Sequence, residues 1–162
     1  MKLAAWVLAL VPLGAVGQAT TFTTKSLTPE SALKAAQAAL AKCRADGFQV
    51  TVAIVDRAGI TQVVLRDRFA GAHTTDFAVN KAWTAVSFRT NTTELEKATR
   101  AGGAMAGIRN IPRFASVGGG MMIEGGGSLV GGIGVSGAPG GDADDVCARA
   151  GIRAIADELE LG

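Results

Sequence analysis

Glycine makes up half of one stretch near the carboxyl end of the chain, 12 of the 24 residues from 118 to 141. The stretch is not a flexible linker, because the strand-forming runs Met121–Ile123 and Leu129–Val130 interrupt it. It contains Gly132-Ile-Gly134-Val-Ser-Gly137, which matches the GxGxxG pattern of dinucleotide-binding loops. Any fold for this chain must therefore accommodate strands that are almost bare of side chains.

A dinucleotide loop is the less favoured interpretation of these glycines. Such a loop needs a helix that begins within the motif and points its N-terminus at the phosphates. Here Pro139 delays the helix, and the 25 residues after Gly137 are too few for another strand–helix–strand unit of about 30 residues. Gly132 and Gly134 lie on one face of a strand, and they predict the close approach of a helix, another backbone or a flat ligand.

The periodicity of apolar residues predicts a single α+β domain with a central antiparallel sheet and helices packed on it. Thr28 and Pro29 are typical of a helix start, and Gly47 ends that helix. The second helix carries its predicted apolar side on four residues, which are Val79, Ala82, Trp83 and Val86. The other predicted elements are a hairpin of strands 49–55 and 60–66, helices over 75–88 and 92–101, strands 113–117, 121–124 and 128–135, and a final helix from Asp142 or Asp144 to Leu159.

The first residues have the pattern of a secretory signal peptide. Lys2 precedes the apolar run Leu3–Val11, and the small residues Gly17 and Ala19 suit signal peptidase. The run is shorter than the roughly 20 residues of a membrane span, and an uncleaved anchor or a buried helix is the alternative. We therefore expect a signal peptide over 1–19, a short leader over 20–27 and one domain over 28–162. The mature protein is expected to be periplasmic or secreted, with no stable membrane span.

Cys43 and Cys147 are the only cysteines, and each falls in a predicted helix. An oxidising compartment permits a disulfide between them, and two separate buried thiols are the alternative. With a single histidine and no paired cysteine motif, the chain lacks the ligands of an ordinary zinc site. The formal charge of +2, without a run of basic residues, argues against nucleic acid as a partner.

Residues 130–137, followed by an aspartate-rich helix start, resemble the closing motif of the GlcG/HbpS-like family of haem-degrading domains. The same domain forms the C-terminal part of some corrinoid adenosyltransferases. The start of the first helix at Leu27-Thr28, the hairpin over 52–59, the stretch 66–74 and the helix over 81–90 are also similar, in the family's order. The chain departs from the pattern at Met121–Glu124, where many members have a proline.

The resemblance implies a profilin-like fold, a homo-oligomer and the binding of haem or a related tetrapyrrole. Extracytoplasmic members are associated with haem sensing or sequestration. Degradation is asserted by the family name alone, so the resemblance leaves open whether this chain is an enzyme.

Under this resemblance His73 is the candidate ligand of the haem iron, because imidazole nitrogen is a standard axial ligand. Arg66 and Lys81 could pair with haem propionates, and Phe69 could pack on the porphyrin. Each of these residues also has a simpler interpretation: His73 as a solvated loop residue, Arg66 and Lys81 as surface charges, and Phe69 as a core contact. Two other functions remain open. One is the binding or turnover of a small carboxylated metabolite by Arg66, Lys81, His73 and Asp56, and the other is an assembly module without a ligand.

Overall fold

A computed structural model of the chain describes residues 19–161. The predicted signal peptide lies outside the described residues except for Ala19. Within residues 19–161 no helix has the length and apolar character needed to cross a membrane. The elements in chain order are α1 (Pro29–Ala45), β1 (Thr51–Asp56), β2 (Thr61–Arg66), α2 (Thr74–Phe88), α3 (Thr92–Ala98), a short 3-10 helix (Ala106–Asn110), β3 (Gly120–Gly125), β4 (Ser128–Ser136), α4 (Gly141–Ala154) and α5 (Ala156–Leu161).

The four strands form one antiparallel sheet in the order β2-β1-β4-β3. The centre of the sheet is the pairing of Ile54 on β1 with Ile133 on β4, and Ile133 in turn faces Met121 on β3. Helices cover both faces of this sheet. The predicted α+β fold with a central antiparallel sheet is therefore confirmed.

Helices α1 and α4 pack side by side on one face of the sheet, over the larger hydrophobic core. That core contains Val52, Ile54 and Ile133, all fully buried. A disulfide joins Cys43 of α1 to Cys147 of α4, with 5.5 Å between their Cα atoms. It spans 104 residues of sequence, and a loop of that length corresponds to roughly 5 kcal/mol of stabilisation through the unfolded state.

Helix α2 lies on the opposite face, directly against the glycines of β4. A Cβ atom at Gly134 would lie 2.0 Å from the carbonyl oxygen of Ala78, and one at Gly132 would lie 3.0 Å from that of Ala82. The main chains of helix and strand are thus in direct contact, which only side-chain-free positions allow. The glycine pattern serves close packing of α2.

The side of α2 that packs on the sheet differs in part from the apolar side that the sequence predicts. Ala82 and Val86 are buried as expected, whereas Val79 and Trp83 are only half-buried. The indole of Trp83 instead lies under the guanidinium of Arg113, 4.8 Å from the ring centroid. The glycines of β4 have no side chains, so the small residues of α2 pack closely against them, whereas its largest residue, Trp83, does not.

Two predicted elements are wrong in detail. Residues 113–117 are not a strand, because Arg113 has a φ of 72° and Thr84 on α2 accepts the amide of Ala115 at 3.0 Å. A residue in the left-handed region interrupts extended backbone, and the helix contact replaces a strand ladder. The predicted final helix is broken at Ile155, which is fully buried and separates α4 from α5.

Candidate functional site

A cavity of about 610 Å³ opens where α2 and α4 begin, beside the loop between α1 and β1. The residues that line it are Gly47, Phe48, Gln49, Phe69, Gly71, His73, Thr74, Phe77, Lys81, Val117, Ser136, Gly137, Ala138, Pro139, Gly140, Gly141 and Asp144. Three of the four site residues suggested by the sequence, His73, Phe69 and Lys81, are therefore brought together. Arg66 is not part of this lining.

His73 is exposed and precedes α2 at its N-cap position. The loop before it is fixed by Thr74, whose hydroxyl donates to the carbonyl of Gly71 at 2.6 Å and lies 2.7 Å from the hydroxyl of Thr51. No hydrogen bond joins the imidazole to any other residue within 19–161. Both ring nitrogens are therefore available to a ligand or to solvent.

Aromatic rings give the cavity an apolar lining on two sides. Phe69 is 79% exposed and Phe77 lies further in on α2, while Phe48 faces them from the α1–β1 loop. Phe77 follows His73 by four residues and precedes Lys81 by four, so the three lie in one row along the helix. Phe48 and Phe77 were not identified from the sequence, although the spacing of four was a signal for Phe77.

Arg66 has a structural contact outside the cavity. Its Nη2 donates to the carbonyl oxygen of Ala70, which bridges the end of β2 to the following loop. The side chain is otherwise exposed, and the remaining guanidinium N–H groups are free to meet a ligand from solvent. Arg66 therefore lies beside the loop that carries Phe69, although it does not line the cavity.

Lys81 lies at the base of the cavity, where it is only 1% exposed. Its ammonium donates to a carboxylate oxygen of Asp144 at 2.8 Å and to the carbonyl of Val135 at 2.9 Å. It also lies 5.1 Å from the centroid of the Phe77 ring. The structure thus corrects the expected position of Lys81: it is not at the surface, and its charge is already paired within the chain.

Burial lowers the pKa of the Lys81 ammonium and raises the pKa of the Asp144 carboxyl. The ion pair between the two groups opposes both shifts. Asp144 also accepts the amide of Ala138 at 3.1 Å, which ties the 137–141 loop to α4. Each partner therefore compensates the other inside a poorly solvated site, and the loss of one would leave a buried charge unpaired.

The described part of the chain offers no group of three histidine, cysteine, aspartate or glutamate side chains arranged to hold a metal ion. What the cavity does offer is three phenylalanine side chains, one unengaged imidazole at the entrance, and polar groups that include Lys81 and Asp144. This arrangement suits an organic ligand that presents an apolar body and polar or metal-bearing centre.

The model of the family described as "Haem degrading protein HbpS-like" matches residues 27–153. Among solved structures, a double mutant of HbpS from Streptomyces reticuli is 42% identical, with a TM-score of 0.78 over 90% of this chain and 97% of that one. The structure of a PduOC:haem complex is 30% identical, with a TM-score of 0.75 over 80% of this chain and 95% of the other.

The corrinoid adenosyltransferase PduO of Citrobacter freundii is 38% identical over 98 residues. The match covers 58% of this chain but only 29% of the adenosyltransferase. The likeness is thus to one part of that larger protein, as the family resemblance implies.

Proposed function

We propose that this chain, which belongs to the HbpS-like family of haem-degrading proteins, is a haem-binding protein whose ligand occupies the cavity at the start of α2. The observation that carries the proposal is the free imidazole of His73 at the entrance of an aromatic-lined cavity of about 610 Å³. The solved structure of a related protein, the PduOC:haem complex, also supports the proposal of haem binding.

The residues present fit the chemistry of haem. His73 supplies a nitrogen ligand for the iron, and Phe69 and Phe77 supply apolar surface for the porphyrin. Arg66 keeps free N–H donors for a propionate, a role that the paired ammonium of Lys81 does not share. Bound haem would supply a redox-active iron centre, and the chain's own residues would hold and orient it.

A haemin titration followed by absorbance tests this proposal. We expect a saturable Soret band at about one haem per chain, and a shifted or weakened band in the His73→Ala variant. Asp76→Asn is the matched control, because Asp76 lies in the first turn of the same helix without lining the cavity, and it should bind as the parent does. Absence of a saturable band would refute haem binding, and an unaltered band in His73→Ala would remove His73 as the ligand.

We also propose that the protein is exported and sequesters or senses haem outside the cytoplasm. The charged and apolar pattern of residues 1–19 and the disulfide between Cys43 and Cys147 support export, since disulfides persist in oxidising compartments. The test is cell fractionation with mass measurement of the isolated protein, which should begin at Thr20. An intact chain retained in the cytoplasm would contradict the proposal.

The chain is further proposed to form a homo-oligomer. Strand β2 is an edge of the sheet, and Ile60 and Val64 beside that edge are 65% and 37% exposed. Exposed apolar residues on an edge strand, whose outer side has no neighbouring strand, favour association with another chain. Light scattering should give a mass above that of one chain, and Val64→Asp should lower it. A monomer in both proteins would refute the proposal.

A further inference from the structure

We propose that Arg44 is a positioning residue for the cavity: through its ion pair with Asp67 it fixes the loop over 67–73, which carries Phe69 and His73. Arg44 does not itself line the cavity. The inference rests on the proposed haem site, because an effect on haem is expected only if haem meets these two side chains. The placement of the loop, by contrast, can be measured without any ligand.

The loop over 67–73 joins β2 to α2 and is attached to the sheet at its first residue. The amide of Asp67 donates to the carbonyl oxygen of Val50 at 3.0 Å, and the carbonyl of Asp67 accepts the amide of Ala70 at 3.1 Å. Phe69 lies within this turn and is 79% exposed, so its side chain has little packing to hold it in place. The position of its ring therefore depends on the main chain of the loop.

The carboxylate of Asp67 ties the loop to the end of α1. Its Oδ1 accepts from Nε of Arg44 at 2.8 Å and also from Nη2 of the same guanidinium. Arg44 lies in the last turn of α1, next to Cys43 of the disulfide. Since the disulfide joins this turn to α4, the loop is bonded to a part of the fold that is itself cross-linked.

The two partners differ in burial, and this makes Asp67 depend on Arg44. The side chain of Arg44 is 55% exposed, whereas that of Asp67 is only 4% exposed. The second carboxylate oxygen of Asp67, Oδ2, is buried and has no hydrogen-bond partner among residues 19–161. A buried carboxylate without a counter-charge is strongly unfavourable. Loss of the guanidinium would therefore drive the Asp67 side chain toward water, and the loop would move with it.

Movement of the loop would reach His73 through Gly71. The imidazole lies against Gly71, where a Cβ atom would be 2.7 Å from Cε1 and 2.9 Å from Nδ1. The carbonyl of Gly71 accepts the amide of Thr74 at 3.0 Å, so Gly71 is bonded to the start of α2 and is also part of the loop. A displaced loop thus changes the space left for the ring that is proposed to bind the iron.

The test compares Arg44→Gln with a double variant and a matched control. Arg44→Gln leaves the Asp67 carboxylate buried without a cation. Adding Asp67→Asn removes that charge and lets two amides pair, so the loop should return to its parental position. Lys42→Gln is the control, because Lys42 lies in the same turn of α1 and its ion pair is with Asp46 rather than with the loop.

Two measurements are made on each protein. NMR of the ¹⁵N-labelled protein without haem should show shifted Gly71 and His73 amides and faster hydrogen exchange at Ala70 in Arg44→Gln alone. Haem release to excess apomyoglobin, followed at the Soret band, should be about tenfold faster in Arg44→Gln, the lower end of the effect of groups that orient a metal ligand. The release rate should stay within about twofold of the parent's in the double variant and in Lys42→Gln.

A purely structural role of Arg44 would lower the urea midpoint of Arg44→Gln while leaving the amide shifts and the release rate at their parental values, and that result would overturn the inference. A double variant that releases haem as fast as Arg44→Gln would overturn it too. If Arg44→Gln does not fold, Arg44→Lys replaces it in the same comparisons, because lysine keeps the charge but loses one of the two donated hydrogen bonds. Absence of a Soret band in the parent would refute the proposed haem site, whereas the NMR comparison would still decide whether Arg44 places the loop.

Discussion

Replacing Gly134 by alanine tests the direct contact between the main chains of α2 and β4. The new methyl carbon would lie 2.0 Å from the carbonyl oxygen of Ala78 and 2.7 Å from the amide nitrogen of Ala82. Both neighbours are backbone atoms, so no side-chain rotation can relieve the overlap. Helix and strand would have to separate by about 1 Å to reach even 3.0 Å, the shortest distance that Cβ atoms tolerate.

The expected loss in the free energy of unfolding follows from the overpacking between α2 and β4 that the new methyl group would cause. Overpacking a core costs about 1–3 kcal/mol, and a clash between two backbones belongs at or above the upper end of that range. Gly132→Ala should cost less, about 1–2 kcal/mol, because its nearest backbone atom, the carbonyl oxygen of Ala82, lies at 3.0 Å, although Cγ2 of Val86 at 2.6 Å would also have to move. We therefore expect a loss of about 3 kcal/mol for Gly134→Ala and a clear order between the two variants.

Urea unfolding followed by far-ultraviolet circular dichroism measures these differences. Gly107→Ala is the control, because a Cβ atom there meets nothing within 4 Å, and its unfolding midpoint should match the parent's. If Gly134→Ala is too unstable to fold, Gly132→Ala still reports on the contact. Free energies of unfolding for both variants within about 0.5 kcal/mol of the control would refute the direct seating of α2 on the strand.

Three further changes have defined outcomes. Reduction of the disulfide should lower the free energy of unfolding by roughly 5 kcal/mol, and an unchanged urea midpoint in dithiothreitol would contradict this. Lys81→Met should lower the free energy of unfolding by about 3–5 kcal/mol, because it leaves Asp144 buried without a counter-charge. Adding Asp144→Leu should recover most of that loss, as measured by thermal unfolding. Gly71→Ala should displace the imidazole of His73, whose Cε1 would lie 2.7 Å from the new carbon. It should change the haemin spectrum while leaving the urea midpoint within about 0.5 kcal/mol.

The hairpin and the first helix are predictable because their signals are local. Asp56 accepts the amides of Ala58 and Ile60 at 2.8 Å within the turn, and Thr28 caps α1 by accepting the amide of Ser31 at 3.2 Å. Each of these contacts lies within four residues along the chain. Residue type at the turn and at the cap was therefore sufficient to locate these elements.

The errors arise where distant contacts override local preference. The segment 113–117 has strand-like composition, but a threonine about thirty residues away binds its backbone and prevents strand pairing. Residue type likewise gave no sign that Lys81 would be buried, because its partner Asp144 lies 63 residues further on. The cavity itself is assembled from four separate stretches of chain, so local residue types could not locate its full lining.

The two ends of the folded domain meet in space. Ser31, in the first turn of α1, donates to a carboxylate oxygen of Glu158 in α5 at 2.8 Å, and Lys34 reaches the same carboxylate at 2.6 Å. A short peptide could therefore join the two ends without distorting the sheet, and new ends could be opened in the exposed stretch 101–105. The domain is thus suited to circular permutation, and to insertion into a loop of a host protein with both attachment points at one spot on its surface.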